Sequence, residues 1–372
     1  MESCNIQNIF KTYGPDYIKK HKLSRDQWKV YNSIVKCKTS ELGMHVITCN
    51  KCGYKEIALN SCRNRHCPNC QSYATEKWIE RENSNILDCP YYHIVTTVPD
   101  TLNEIFLYNS KICYNILFKA TSESILELAK DSKWLGAKVG ITSILHTWGQ
   151  TIQFHPHIHS IVTGGGISNN KWIESKKEYL FKVQVFSSLY RGKFLSMLKQ
   201  EKLEFPEDKQ YLKDPIEFNK FLTPLYKQSW ITYIEPPKGK PENVIEYIGR
   251  YAFRVAISNE RIKDISDGKV TFEYKDYKDD SKIKEMTITA EEFIRRFLMH
   301  VLPNKFTKIR HYGLLSNRNK QSIIKLCRIL IRTVVNSDFT INITRKVREL
   351  ICPDCGGKDF SYRYNYNNLH RL

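Results

Sequence analysis

Between Ile144 and Val162 the chain places four of its 11 histidines within fourteen positions: His146, His155, His157 and His159. His157 and His159 flank one apolar residue, Ile158. On a β-strand alternate side chains share a face, so both imidazoles point one way and Ile158 points into a core. Two neutral imidazoles on one strand form a preorganised half of a metal site. Pairing geometry supplies the third ligand. If Lys138–Trp148 and His157–Thr163 are antiparallel neighbours, His146 falls opposite His157, about 5 Å away at Cβ. Such a site keeps open positions for water and a phosphate oxygen. His155 and Gln150 are the alternatives for the third position.

The cysteines offer a different chemistry. The chain has 12, and paired, closely spaced cysteines in an intracellular protein read as metal ligands before disulfides. Cys49-Asn-Lys-Cys52 and Cys67-Pro-Asn-Cys70 are two CxxC knuckles about 15 residues apart, the spacing of a four-thiolate structural Zn²⁺ site. Gly53 allows the tight turn that aims backbone amides at the thiolates. Cys49, Cys52, Cys67 and Cys70 are the expected ligands, with Cys62, His66 and His45 in reserve for a replacement or a second ion. Arg63 and Arg65, inside this block, suit phosphate contacts. Cys352-Pro-Asp-Cys355 is a lone third knuckle, equally readable as half a site, a turn or a truncated ribbon.

Tyr247 and Tyr251 stand four apart, one turn of a helix, with Arg250 and Arg254 repeating that spacing beside them. A phenol attacks phosphorus if nearby cations stabilise the developing charge. In isolation such a pair, among 22 tyrosines, reads as packing.

The formal net charge of +19 points to a phosphate polymer as partner. Hydrophobic residues make up 41%, enough for a globular core. No apolar stretch approaches the roughly 20 residues of a membrane span, and no basic amphipathic helix suits a membrane surface. Met1–Lys20 lacks the apolar stretch of a secretory signal, so an intracellular, cytoplasmic protein is expected.

These groups need elements to hold them. Helical spacing of apolar residues is expected over Met1–Gly43, Gln71–Leu87, Leu102–Ala129, Phe181–Leu203, Pro215–Tyr226, Glu242–Phe253, Glu291–His300 and Ser322–Val334. Strands are expected at Tyr92–Val98, Lys138–Trp148, His157–Thr163 (closed by Gly164-Gly165-Gly166), Trp230–Glu235, Val270–Tyr274 and Glu285–Thr289. That mixture implies an α+β fold. N-terminal helices and a zinc module would occupy 1–89, a catalytic domain 90–312, and a helix with a polar tail 313–372.

The combination resembles a known family. Pro156-His157-Ile158-His159 resembles the HUH motif of rolling-circle replication proteins, relaxases and transposases. The order of the motifs is similar to that of the two-tyrosine transposases of the insertion-sequence ninety-one family. Ser61-Cys62-Arg-Asn-Arg-His-Cys-Pro-Asn-Cys70 comes first, then Leu145-His-Thr-Trp-Gly-Gln150 and His155-Pro-His-Ile-His159. Tyr247-Ile-Gly-Arg-Tyr251-Ala-Phe-Arg, Phe293-Ile-Arg-Arg-Phe297 and Lys308-Ile-Arg-His-Tyr-Gly313 follow. The resemblance implies an HUH endonuclease core, an antiparallel sheet with packed helices. It implies a catalytic Mg²⁺ or Mn²⁺ on the histidines and Tyr247 and Tyr251 as paired nucleophiles. The reaction implied is nicking and rejoining of single-stranded DNA, or of hairpin ends of a bacterial element, through a 5′-phosphotyrosine link. Arg250, Arg254, Arg295, Arg296, Lys308 and Arg310 are candidate DNA contacts. A replication initiator or relaxase would share the chemistry, and a non-catalytic zinc-dependent DNA-binding protein would share the zinc module.

Overall fold

The computed structural model describes residues 4–175, 179–237, 249, 256–335 and 350–364. The chain divides into two compact units. Met1–Ala74, Phe253–Val301 and Thr340–Leu372 make the first, and Thr75–Ala252 and Leu302–Phe339 make the second. This grouping differs from the expected consecutive blocks, because segments distant in sequence share sheets and helix faces.

The first unit opens with α1 (Ile6–Thr12), α2 (Gly14–Lys20) and α3 (Arg25–Lys36), three short helices where one helical stretch was expected. Local chemistry sets the breaks. The Asn5 side chain caps α1, Pro15 occupies the first turn of α2, and Ser24 with Gln27 forms a capping box on α3. Two strands that the cysteines had obscured follow: β1 (Met44–Cys49) and β2 (Lys55–Leu59). β1 pairs on its other edge with β12 (Phe360–Tyr364) at the far end of the chain. A second antiparallel sheet holds β8 (Ile262–Ser266), β9 (Lys269–Asp276) and β10 (Lys282–Thr289). It leads into α9 (Ala290–Met299), whose Phe297 meets Phe10 of α1 edge to face at 5.2 Å.

The second unit begins within α4 (Pro68–Asn83). It continues with β3 (Tyr91–Thr97), α5 (Asn103–Tyr108), α6 (Ser110–Lys130), β4 (Lys138–Trp148), β5 (Phe154–Ser168) and β6 (Lys171–Glu174). α7 (Val183–Lys199), α8 (Pro215–Lys227), β7 (Thr232–Glu235), β11 (Ile309–Gly313) and α10 (Lys320–Val335) complete it. The sheet order is β11-β4-β5-β3-β7, with β6 on β5, and every ladder is antiparallel. The architecture is α+β, as expected. β3, β4 and β5 form its centre; their Ile94, Leu145 and Ile158 are fully buried. A hydrogen bond of 2.8 Å between Thr96 and Thr121 fixes β3 on α6, and Tyr190 of α7 donates to the Thr97 carbonyl at 3.0 Å. The side chains alternating with Thr96 and Ile158 therefore face away from α6.

β5 is longer than expected, because the glycine run does not end it. A Cβ at Gly165 would lie 2.5 Å from the Trp172 ring, and one at Gly166 would lie 2.4 Å from the Lys138 carbonyl oxygen. The glycines let β6 and β4 approach closely enough to pair, so the run continues the strand. The helix expected over Glu242–Phe253 lies outside the described residues, apart from Gly249. Among the described residues no helix is long and apolar enough to cross a membrane.

Candidate functional site

The β4–β5 register places His146 directly opposite His157, and β5 alternation puts His159 on the same face. One ligand nitrogen from each of the three lies within 4.8 Å of the others. Ring centroids are 5.4 Å apart for His146–His157, 4.5 Å for His146–His159 and 4.8 Å for His157–His159. Small ring rotations would bring all three onto one ion, so the set fits a divalent metal with further positions for water or phosphate oxygen. Among the candidates for the third position, His146 joins the pair. His155 shares their face, but its Nδ1 lies 3.7 Å from Asp100. Gln150 lies in the turn between β4 and β5.

Burial drives the His157 pKa down to about 3 and holds His159 well below its ordinary value, with neighbouring histidines adding to the effect. Both imidazoles are therefore neutral, the form that binds metal. Their tautomers follow from their partners. His157 Nδ1 lies 2.7 Å from the His155 carbonyl, which can only accept, so Nδ1 carries the proton and Nε2 keeps its lone pair. His159 Nδ1 lies 2.8 Å from His93 Nε2, and His93 Nδ1 lies 3.2 Å from Glu235. A carboxylate accepts from His93 Nδ1–H; His93 Nε2 then accepts from His159 Nδ1–H, and His159 Nε2 is left to bind metal. Neither His93 nor Glu235 was singled out in the sequence. The detectable signal was a histidine inside a β-branched strand, where a polar side chain needs a partner. β3 and β7 supply it, with His93 directly opposite Glu235.

Beside His146 the Trp148 ring stacks at 4.8 Å, and Lys308 Nζ sits 4.9 Å from that ring's centre. The other basic candidates are placed as follows. Arg63 and Arg65 are exposed. Arg295 and Arg296 both bind Glu292 within α9, at 2.6 Å and 2.7 Å. Arg310 packs its guanidinium over Phe118 at 4.2 Å and donates to Asn115 at 2.6 Å. Tyr247, Tyr251, Arg250 and Arg254 lie outside the described residues.

The cysteines do not form the expected quartet. Cys67 and Cys70 gather with Cys37 and Cys62, while Cys49 and Cys52 gather with Cys352 and Cys355. Cys62, expected as a substitute, is thus a full member of a cluster. His66 is buried but belongs to neither group, and His45 bonds to Asn60 at 2.8 Å. Two distant pieces of chain cause the regrouping: α3 ends at Cys37, and the β1–β12 ladder carries the tail back to the first knuckle. Backbone amides of Cys52 and Lys51 aimed at the Cys49 sulfur hold its thiol at about 7, below its ordinary value.

Comparison with known proteins identifies the family. A family model described as "Transposase zinc-binding domain" matches residues 9–98, and one described as "Putative transposase" matches 140–322. The protein named "Putative transposase y4qJ", from Sinorhizobium fredii, is 43% identical over 92% of this chain and 88% of its own length. The "Transposase for insertion sequence element IS801", from Pseudomonas savastanoi pv. phaseolicola, is 30% identical over 76% of this chain and 68% of its own. No solved structure matches the chain. The two family models and relatives covering 92% and 76% of this chain lead to one assignment: the chain belongs to the IS91 family of transposases, with an N-terminal zinc-binding domain.

Proposed function

We propose that this transposase nicks and rejoins single-stranded DNA at the ends of its element through a 5′-phosphotyrosine link, on an HUH endonuclease core. The observation that carries the reading is the convergence of His146, His157 and His159 on one face of paired strands. When bound there, Mg²⁺ or Mn²⁺ would polarise the scissile phosphate. The remaining steps belong to the chain. The hydroxyl of Tyr247 or Tyr251 attacks phosphorus; the Oη–P bond forms and the P–O3′ bond breaks. The phenol proton passes to water, and the departing 3′-oxygen takes one up. The phosphotyrosine bond keeps the energy of the broken phosphodiester, so a 3′-hydroxyl rejoins the strand by the reverse attack without a nucleotide cofactor. Two tyrosines allow one DNA end to be held while another is cut. Lys308, held over the Trp148 ring beside the histidines, offers a charge for a phosphate near the centre. A thiolate-bound Zn²⁺ at Cys37, Cys62, Cys67 and Cys70 would hold the N-terminal module, with Arg63 and Arg65 exposed beside it for DNA.

The test is cleavage of labelled single-stranded oligonucleotides carrying the element's ends, with Mn²⁺ or Mg²⁺. The readout is a denaturant-stable protein–DNA adduct. Wild type should form it, while His157→Ala and the Tyr247→Phe/Tyr251→Phe double variant should not. DNA binding by the wild type without any adduct would replace this reading with a non-catalytic DNA-binding protein.

A further inference from the structure

The zinc-binding family model ends at residue 98, so it leaves Cys352 and Cys355 unassigned. We infer that these two cysteines complete a second, separate Zn²⁺ site with Cys49 and Cys52, one that fastens the C-terminal tail to the N-terminal module.

Three observations support it. First, the sulfur spacing suits a metal and not a disulfide. Cys49 Sγ lies 3.6 Å from Cys355 Sγ, and Cys52 Sγ lies 3.5 Å from Cys352 Sγ. A disulfide needs about 2.05 Å. A tetrahedral ion with Zn–S bonds of about 2.3 Å spaces its sulfurs by about 3.8 Å. The other cluster shows the same spacing, 3.5 Å for Cys37–Cys70 and 3.6 Å for Cys62–Cys70.

Second, the two knuckles repeat one backbone design. Gly53 N donates to the Cys49 carbonyl at 2.9 Å, and Gly356 N donates to the Cys352 carbonyl at 2.9 Å. Cys49 N donates to the Tyr54 carbonyl and Cys352 N to the Gly357 carbonyl, both at 2.8 Å. The glycine after each knuckle takes a left-handed φ, +78° at Gly53 and +66° at Gly356. Two chain segments 300 residues apart thus present the same Cys-x-x-Cys-Gly turn to each other.

Third, the register of the β1–β12 ladder enforces the meeting. Cys49 pairs with Phe360, and Asn50 N donates to the Asp359 carbonyl at 2.9 Å. Four thiolates gathered this closely would repel one another; a divalent cation is the occupant that offsets them, and all-sulfur tetrahedral coordination selects Zn²⁺.

The test uses the full chain. Zinc content by elemental mass spectrometry should fall by one ion per chain in Cys352→Ser/Cys355→Ser, and by a different single ion in Cys37→Ser/Cys62→Ser. An unchanged zinc content in the Cys352→Ser/Cys355→Ser variant would overturn the inference. A folding defect in that variant is bypassed by footprinting the zinc-loaded wild type with a thiol-alkylating reagent. Cys49, Cys52, Cys352 and Cys355 should resist alkylation together until a chelator is added, while exposed Cys4 reacts at once. Alkylation of Cys352 and Cys355 at the rate of Cys4 in the zinc-loaded protein would also overturn it. None of these readouts depends on DNA cleavage, so the site stands or falls separately from the catalytic reading.

Discussion

At the scale of single residues, the histidine centre depends on groups that would never touch the ion. His93 is half-buried between Glu235 and His159, and its ring lies nearly parallel to that of His159, at 10° and 5.1 Å. Through it a carboxylate on β7 dictates which nitrogen of His159 is protonated. Replacing His93 with Leu removes that instruction and frees the ring of His159 to rotate. Loss of such an outer partner typically lowers metal affinity about 10–100-fold. Mn²⁺ titration of His93→Leu, followed by electron paramagnetic resonance, should show a loss in that range. Glu235→Gln, whose amide oxygen still accepts from His93 Nδ1–H, should lose less. Wild-type affinity in a folded His93→Leu protein would show that His159 is oriented by packing alone.

At the scale of elements, β11 adds an edge to the sheet and carries a half-buried histidine of a different kind. His311 lies opposite Thr142 of β4, with Nδ1 3.0 Å from the Thr142 hydroxyl and Nε2 3.7 Å from Glu82 of α4. Lys320 of α10 reaches the same carboxylate at 3.3 Å. Burial lowers the His311 pKa to about 4; Glu82 opposes the shift, and Lys320 and Arg81 add to it. Below the ordinary value of about 6.5 the unfolded chain takes a proton that the folded protein refuses, so stability falls with pH from there to about 4 and levels off. The gap corresponds to at most about 3–4 kcal/mol. Urea unfolding at pH 7 and pH 4.5 should show a smaller acid penalty in His311→Gln than in wild type, by about 2 kcal/mol. Parallel losses in the two proteins would remove His311 from the account.

At the scale of the whole molecule, the net charge of +19 sets how the protein meets DNA. Several of its cations are committed internally: Arg295 and Arg296 to Glu292, Lys284 to Asp276 and Asp279. The surplus remains for phosphate. If about five phosphates of a single strand are neutralised, affinity should fall roughly 100-fold between 50 and 200 mM salt. Fluorescence anisotropy of a labelled single-stranded oligonucleotide across that range checks it. An affinity indifferent to salt would mean that stacking and shape, not charge, carry the binding.

The sequence by itself determined what repeats over short distances. Strand alternation put His157 and His159 on one face, and the antiparallel pairing of two adjacent strands put His146 opposite, because neighbouring strands joined by a short turn have few registers available. It also announced thiolate knuckles, since Cys-x-x-Cys-Gly is a local turn with its own hydrogen bonds. The resemblance to a transposase family was legible for a related reason: each motif is local, and only their order is long-range. Tertiary structure alone decided which knuckle faces which. Cys37 stands by itself in the sequence, and Cys352 and Cys355 come 300 residues after the cysteines they meet. Their placement depends on where α3 stops and on a five-residue ladder between β1 and β12. The same holds for His93 and Glu235, which become partners because β3 and β7 are neighbours in the sheet, 142 residues apart in the chain. Sequence spacing encodes contacts along one strand or one turn; contacts between strands depend on the order of the sheet, which is settled by the burial of every strand at once.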